Sequence, residues 1–143
     1  MKHIAIGSDH AGVGYKADFV AHLRAAGLTV TDLGTDSESS VDYPVYADKV
    51  CRAVTEGAAD CGILICGTGI GMSIAANKHR GIRAALCGDI ESAKMTRLHN
   101  NANVLCLGAR ILPYETALAI AETFLSTDFS GEARHQRRID MLE

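Results

Sequence analysis

The stretch Gly62-Ile63-Leu64-Ile65-Cys66-Gly67-Thr68-Gly69-Ile70-Gly71-Met72-Ser73 decides the fold. Its first half is apolar at odd and even positions alike, as in a strand buried on both faces of a parallel sheet. Its second half breaks that run with glycines at 67, 69 and 71 and leads into a helix expected from about Met72 to Lys78. Strand, glycine-rich turn and helix in that order make the repeating unit of an α/β fold.

Working outward, further strand-like runs lie at His3–Ser8, Thr29–Leu33, Arg83–Leu86 and Val104–Leu107. Amphipathic segments separate them. Val13–Ala26 places Tyr15, Phe19, Val20 and Leu23 on one face and stops at Gly27. Pro44–Glu56 has Pro in its first turn and a stripe of Tyr46, Val50, Ala53 and Val54. Ile90–Leu98 follows Asp89, a good N-cap, and Pro113–Ser126 carries Leu118, Ala121, Phe124 and Leu125. A basic segment at about 132–142 reads as a C-terminal helix, and Gly34–Ser40 is the one long polar loop. Strand–helix alternation throughout predicts a single doubly wound α/β domain over residues 1–143, with five parallel strands and helices on both faces.

The 143 residues suit one domain, for which surface scaling gives about 7,100 Å² of accessible surface when folded. With 48% hydrophobic residues and 2 prolines, disordered and collagen-like classes are excluded. A net charge of −3 argues against a nucleic-acid or anionic-membrane partner. No apolar run approaches a membrane span, and Met1-Lys2-His3-Ile4 runs straight into a strand without signal-peptide character. The 5 cysteines form no CxxC pair, so reduced thiols in a cytoplasm are expected.

In such a sheet, ligands bind outside the carboxyl ends of the strands. After the first strand comes Ser8-Asp9-His10-Ala11-Gly12. Here Asp9 either caps the next helix, with His10 a surface residue, or the two face a polar ligand; the local sequence does not choose. After the third strand, Gly67, Gly69 and Gly71 let backbone amides form an anion nest ahead of a helix N-terminus. The same surroundings lower a thiol's pKa, which makes Cys66 a candidate thiolate; its plainer reading is a small core residue. For the other four cysteines the core role is the expected one.

After the fifth strand stands Arg110, and the tail carries Arg134-His135-Gln136-Arg137-Arg138. Arg134 and Arg138 share a helix face, so with Arg110 they either clamp a small phosphate ester or are simply solvated. A helix starting at Asp89 on the carboxyl edge runs about 15 Å back, which puts His99 and Asn100 near the amino edge. There they are either C-cap residues or belong to a neighbouring subunit's site, and the second reading implies an obligate oligomer.

A dinucleotide site would use the glycine turn with Asp89 about twenty residues on. The spacing here is GxGxG rather than GxGxxG, the following helix is short, and no second domain holds a hydride acceptor. The histidines have no metal-ligand spacing, and no GxSxG elbow supports a serine hydrolase.

Taken together, Ser8–Gly12, Asp42-Tyr43-Pro44, Gly62–Gly71, Ala75-Ala76-Asn77-Lys78, His99-Asn100 with Ala102-Asn103, and Arg134-His135 resemble the ribose-5-phosphate isomerase type B family, which includes the galactose-6-phosphate isomerase subunits. The match runs in order over essentially the whole chain. It implies a three-layer α/β/α Rossmann-like fold and a homodimer or dimer of dimers that uses no metal and no cofactor. It further implies that Cys66 is the base moving a proton between C1 and C2, and that His99 assists ring opening. By the same resemblance Thr68 corresponds to a third catalytic position. The amides of Gly67, Gly69, Ile70 and Gly71 correspond to the enediolate-stabilising loop. Asp9, His10, Tyr43 and Asn100 correspond to substrate contacts, and Arg110, Arg134 and Arg138 to the phosphate end. His99 and Asn100 would be contributed across the dimer interface.

Two positions depart from the family pattern. Met72 stands where some members carry a glutamate, which places this chain in the branch using Cys66, and Ala133 replaces a glycine usual before Arg134. The activity expected is interconversion of D-ribose 5-phosphate and D-ribulose 5-phosphate. The alternatives are isomerisation of a six-carbon sugar phosphate (allose or galactose 6-phosphate) and a non-catalytic sugar-phosphate-binding subunit.

Overall fold

The structure, a computed structural model, describes residues 1–143. Its strands are β1 (His3–Ser8), β2 (Thr29–Asp32), β3 (Cys61–Cys66), β4 (Ala84–Leu86) and β5 (Val104–Gly108). Its helices are α1 (Val13–Ala25), α2 (Tyr43–Thr55), α3 (Ile70–Asn77), α4 (Ile90–Asn100), α5 (Tyr114–Ser126) and α6 (Ala133–Asp140). A 3-10 turn, His10–Gly12, precedes α1. All strands pair in parallel in the order β2-β1-β3-β5-β4.

Every residue of β3 and of β5 is buried, because both faces of the sheet are covered. On one face Ile4, Ile6, Ile63, Ile65, Leu105 and Leu107 pack against α1, α4 and α5. On the other, Ala5, Leu64, Cys66, Val104 and Cys106 meet α2 and α3. These are the three layers expected. The accessible surface is 7025 Å², close to the scaling value for one domain of this size. No helix is long and apolar enough to cross a membrane.

Several helix details differ from the sequence reading. α3 begins at Ile70, two residues early, because Gly69 at φ +78 turns the chain directly into the helix. Pro113 lies outside α5 with ψ 148 and accepts the Ala117 N–H through its carbonyl, rather than occupying the first turn. In α1 Lys16, not Tyr15, joins Phe19, Val20 and Leu23 in the interior. In α2 the buried residues are Ala47, Val50 and Cys51, while Tyr46, Ala53 and Val54 are only half-buried. That helix sits close to the sheet over Gly62, where a Cβ would stand 2.4 Å from Val50 Cγ1, so small side chains face inward.

The topology fixes where a ligand can sit. From β1 the chain passes through α1 to β2 on one side, then returns through α2 to β3 on the other. The order therefore reverses between β1 and β3, and a crevice opens at their carboxyl ends. Asp9 follows β1 and Cys66 ends β3 at that place.

Candidate active site

Cys66 ends β3 and lies 5% exposed against the α2–α3 core. Its Sγ accepts the Gly69 N–H at 3.1 Å, and it is the one cysteine of the five with a hydrogen bond at sulfur. Burial pushes the Cys51 and Cys61 thiols up to about 12 and Cys87 to about 11, and raises Cys106 well above the ordinary range. Those four are inert core groups, whereas a sulfur facing an N–H donor has a partner for its anionic form.

The loop after Cys66 is stitched to its neighbours. Ala109 and Arg110 donate their N–H groups to the carbonyls of Cys66 and Gly67, each at 2.9 Å. The Thr68 Oγ1 accepts the Ile70 N–H at 3.2 Å. The N–H groups of Gly67, Thr68, Gly71 and Met72 make no hydrogen bond within the chain. These are the orphan donors of a helix start, extended by a glycine turn. Only glycine suits position 69, where φ is +78 and a Cβ would stand 2.9 Å from the Leu107 carbonyl carbon.

Across the crevice, the Asp9 N–H donates to Ile65 O at 3.1 Å and ties the end of β1 to β3. Asp9 Oδ1 accepts the N–H groups of Ala11 and Gly12, so Asp9 is the cap of the 3-10 turn as well as a crevice residue. His10 Nδ1 accepts the Val41 N–H at 3.2 Å, which leaves the ring proton on Nε2 and makes that atom a donor. Tyr43, first residue of α2, lays its ring over Gly71. Arg110 covers Gly67, where a Cβ would meet its Cδ and guanidinium at 3.4 Å, and it pairs with no carboxylate of the chain. Asp9, His10, Tyr43, Cys66, Thr68, Gly67–Gly71 and Arg110 thus gather at one place.

His99, Asn100, Arg134 and Arg138 do not join them. Asn100 ends α4, four residues before Val104, and Val104 pairs with Gly62 while Cys66 pairs with Gly108. The two groups are separated by about 13 Å of strand alone. Asn100 instead lines a cavity of about 690 Å³ at the amino edge, together with Lys78, Arg80, Arg83 and the C-terminus. Arg134 and Arg138 share an exposed face of α6, but Arg134 is held by Glu132 at 3.2 Å. Cys66 lines none of the cavities, although Thr68, Ile70 and Gly108 border an apolar hollow of about 420 Å³. One chain does not enclose the crevice.

Three features have no sequence signal of their own. The Val41 amide that orients His10 comes from a backbone position. Lys16, 1% exposed, holds Asp32 at 2.7 Å and Asp36 at 3.1 Å and so anchors the loop leading to Val41. His135 stacks on His99. No three His, Cys, Asp or Glu side chains come together as metal ligands.

A family model described as Ribose/Galactose Isomerase matches residues 4–142. Ribose-5-phosphate isomerase B of Escherichia coli (strain K12) is 48% identical over 142 residues, covering 99% of this chain and 95% of that protein. Among solved structures, a ribose 5-phosphate isomerase of Thermotoga maritima superposes with a TM-score of 0.96 at 52% identity, covering 99% of this chain and 97% of that one. The type B ribose 5-phosphate isomerase of Trypanosoma brucei gives 0.95 at 49%, with coverage of 99% and 97%. Identity of this order, sustained along the whole length and carried by the same fold, makes the chain a member of the ribose/galactose isomerase family.

Proposed function

We propose that this chain interconverts D-ribose 5-phosphate and D-ribulose 5-phosphate. The observation that carries the reading is the Cys66 sulfur, held by the Gly69 N–H beside the unpaired amides of Gly67, Thr68, Gly71 and Met72. Its relatives named as ribose-5-phosphate isomerases supply the substrate class.

In the open-chain aldose, the Cys66 thiolate takes the proton from C2. The electron pair forms a C1–C2 double bond and charge collects on O1, giving a cis-enediolate. A proton passes from O2 to O1, the thiol returns its proton to C1, and the carbonyl remains at C2. Positioned proton transfer contributes ~10²–10⁴ in rate, and one strong oxyanion donor roughly 10²–10³. Asp9 accepts from a sugar hydroxyl, His10 donates through Nε2, Tyr43 closes one wall, and Arg110 meets the phosphate end. Binding energy at that remote end then serves orientation at C1 and C2.

His99, Asn100, Arg134 and Arg138 complete the site from a second copy, as a homodimer or a pair of dimers. The open crevice supports this, as does the apolar surface beside it: Ile70 and Ile74 of α3 are 51% and 56% exposed at i,i+4 spacing. In this reading His99 opens the furanose ring. Five unpaired cysteines and a thiolate base support a reducing compartment, the cytoplasm. The direct test is ketose formation from a panel of five- and six-carbon aldose phosphates with EDTA present. Turnover of ribose 5-phosphate is expected, and its absence against turnover of a six-carbon ester would move the substrate.

A further inference from the structure

His135 makes its closest aromatic contact with His99. The two rings stack 4.3 Å apart and 19° from parallel, the first on α6 and the second in the last turn of α4. His99 is exposed, while His135 is buried with Ile139, one helical turn on, where α6 seats. The Nε2 of His135 is sealed from solvent without an aligned hydrogen bond, although Glu132 Oε2 stands 3.0 Å away. An imidazole nitrogen left so poorly paired is a cost that leucine at the same place would avoid. A costly polar group at a packing position points to a role outside packing.

We infer that His135 is a positioning residue for ring opening: its flat face holds the His99 imidazole in one orientation. The inference rests on the assignment of ring opening to His99. An exposed imidazole at a helix end otherwise samples several rotamers, and a proton relay works only from the aligned one. The pairing also separates the roles of the two rings. Around His135 stand His99 from α4, Arg134 and Arg138 from its own helix, and Glu132 just before it. Burial first, then the neighbouring His99, holds the His135 pKa below the ordinary histidine value. Burial therefore favours the neutral form of the His135 ring.

The substrates allow a clean test. Ribose 5-phosphate is mostly a closed furanose, whereas ribulose 5-phosphate has its carbonyl at C2 and its O5 esterified and stays open. Single turnovers with enzyme in excess therefore read ring opening in the aldose direction only. His135→Leu keeps the buried volume and removes the flat ring; His135→Phe keeps the ring. We expect His135→Leu to slow the aldose single turnover about tenfold. The ketose single turnover is expected to stay within about twofold, and His135→Phe to recover most of the aldose rate. His135→Leu matching the parent protein, slowing both directions alike, or doing no worse than His135→Phe overturns the inference. His99→Ala run in parallel separates the two claims. Its aldose rate should reach a ceiling, independent of enzyme concentration, at the spontaneous ring-opening rate. No ceiling removes the His99 assignment and the inference with it. A ceiling in His99→Ala beside parental behaviour of His135→Leu removes the inference alone.

Discussion

The Tyr43 ring rests on Gly71 so closely that a Cβ at position 71 would stand 2.7 Å from its Cζ. The first residue of α2 is thereby registered against the first turn of α3, and the loop bearing the free amides is held between them. Gly71→Ala forces the ring aside, and the ring is an end group that can move. The expected result is a raised KM with a melting temperature shifted by only a few degrees, read by steady-state kinetics and thermal unfolding. Gly69→Ala differs, since its new Cβ meets backbone at a positive φ. It is expected to cost about 1–3 kcal/mol in a denaturant titration.

Cys66→Ala removes the proposed base while leaving Asp9, His10, Tyr43 and Arg110 in place. Turnover should fall by at least ~10²–10⁴, while ribose 5-phosphate still binds in calorimetry. Unchanged turnover would take Cys66 out of the mechanism.

A shared site makes two inactive chains complementary. Refolding Cys66→Ala together with His99→Ala should yield mixed dimers in which one of the two crevices has both intact groups. Partial recovery of aldose turnover is expected. Verified mixed dimers that remain as slow as their parents would show that His99 acts from elsewhere.

Acid should loosen α6. The folded-state pKa of His135 lies below its ordinary 6.5, so the unfolded chain binds the proton more readily. Its contribution to stability is present above pH 6.5 and is lost as pH falls through that value toward the folded one. His135→Phe should flatten this part of the stability–pH curve, measured by thermal unfolding across pH 5–8.

A second acid response comes from Asp48, which receives His79 Nε2 at 3.0 Å and Arg52 Nε at 2.9 Å and so links α2 to the turn after α3. The His79 hydrogen bond, then Arg52, holds its carboxyl below the ordinary 3.8. The linkage is therefore complete above that value and is lost as pH falls below it. Asp48→Asn should remove this limb of the curve and leave the His135 limb intact. The effect is expected to be small, because the pair is solvent-screened.

Much of this architecture can be read without coordinates. The aliphatic runs of β3 and β5 have no polar face, and only a sheet covered on both sides accommodates that. Glycines at 67, 69 and 71 after such a strand place free amides at its carboxyl end for steric reasons that hold in any α/β sheet. Helix faces were harder to read. The α2 stripe turned toward Ala47, Val50 and Cys51 because Gly7 and Gly62 of the opposing strands let the helix come close, a pairing of elements that no local pattern encodes.

The residue order of this chain determined its layers, its parallel strands and the chemistry available at each strand end, because periodicity and turn stereochemistry act over a few neighbours. Tertiary structure alone decided which of those ends meet. Strand order brought Asp9 beside Cys66. The Val41 amide came onto His10, and His135 came onto His99, across gaps of 31 and 36 residues. Such contacts arise when separate elements pack against each other, and packing depends on the shape of the whole core rather than on any segment of it.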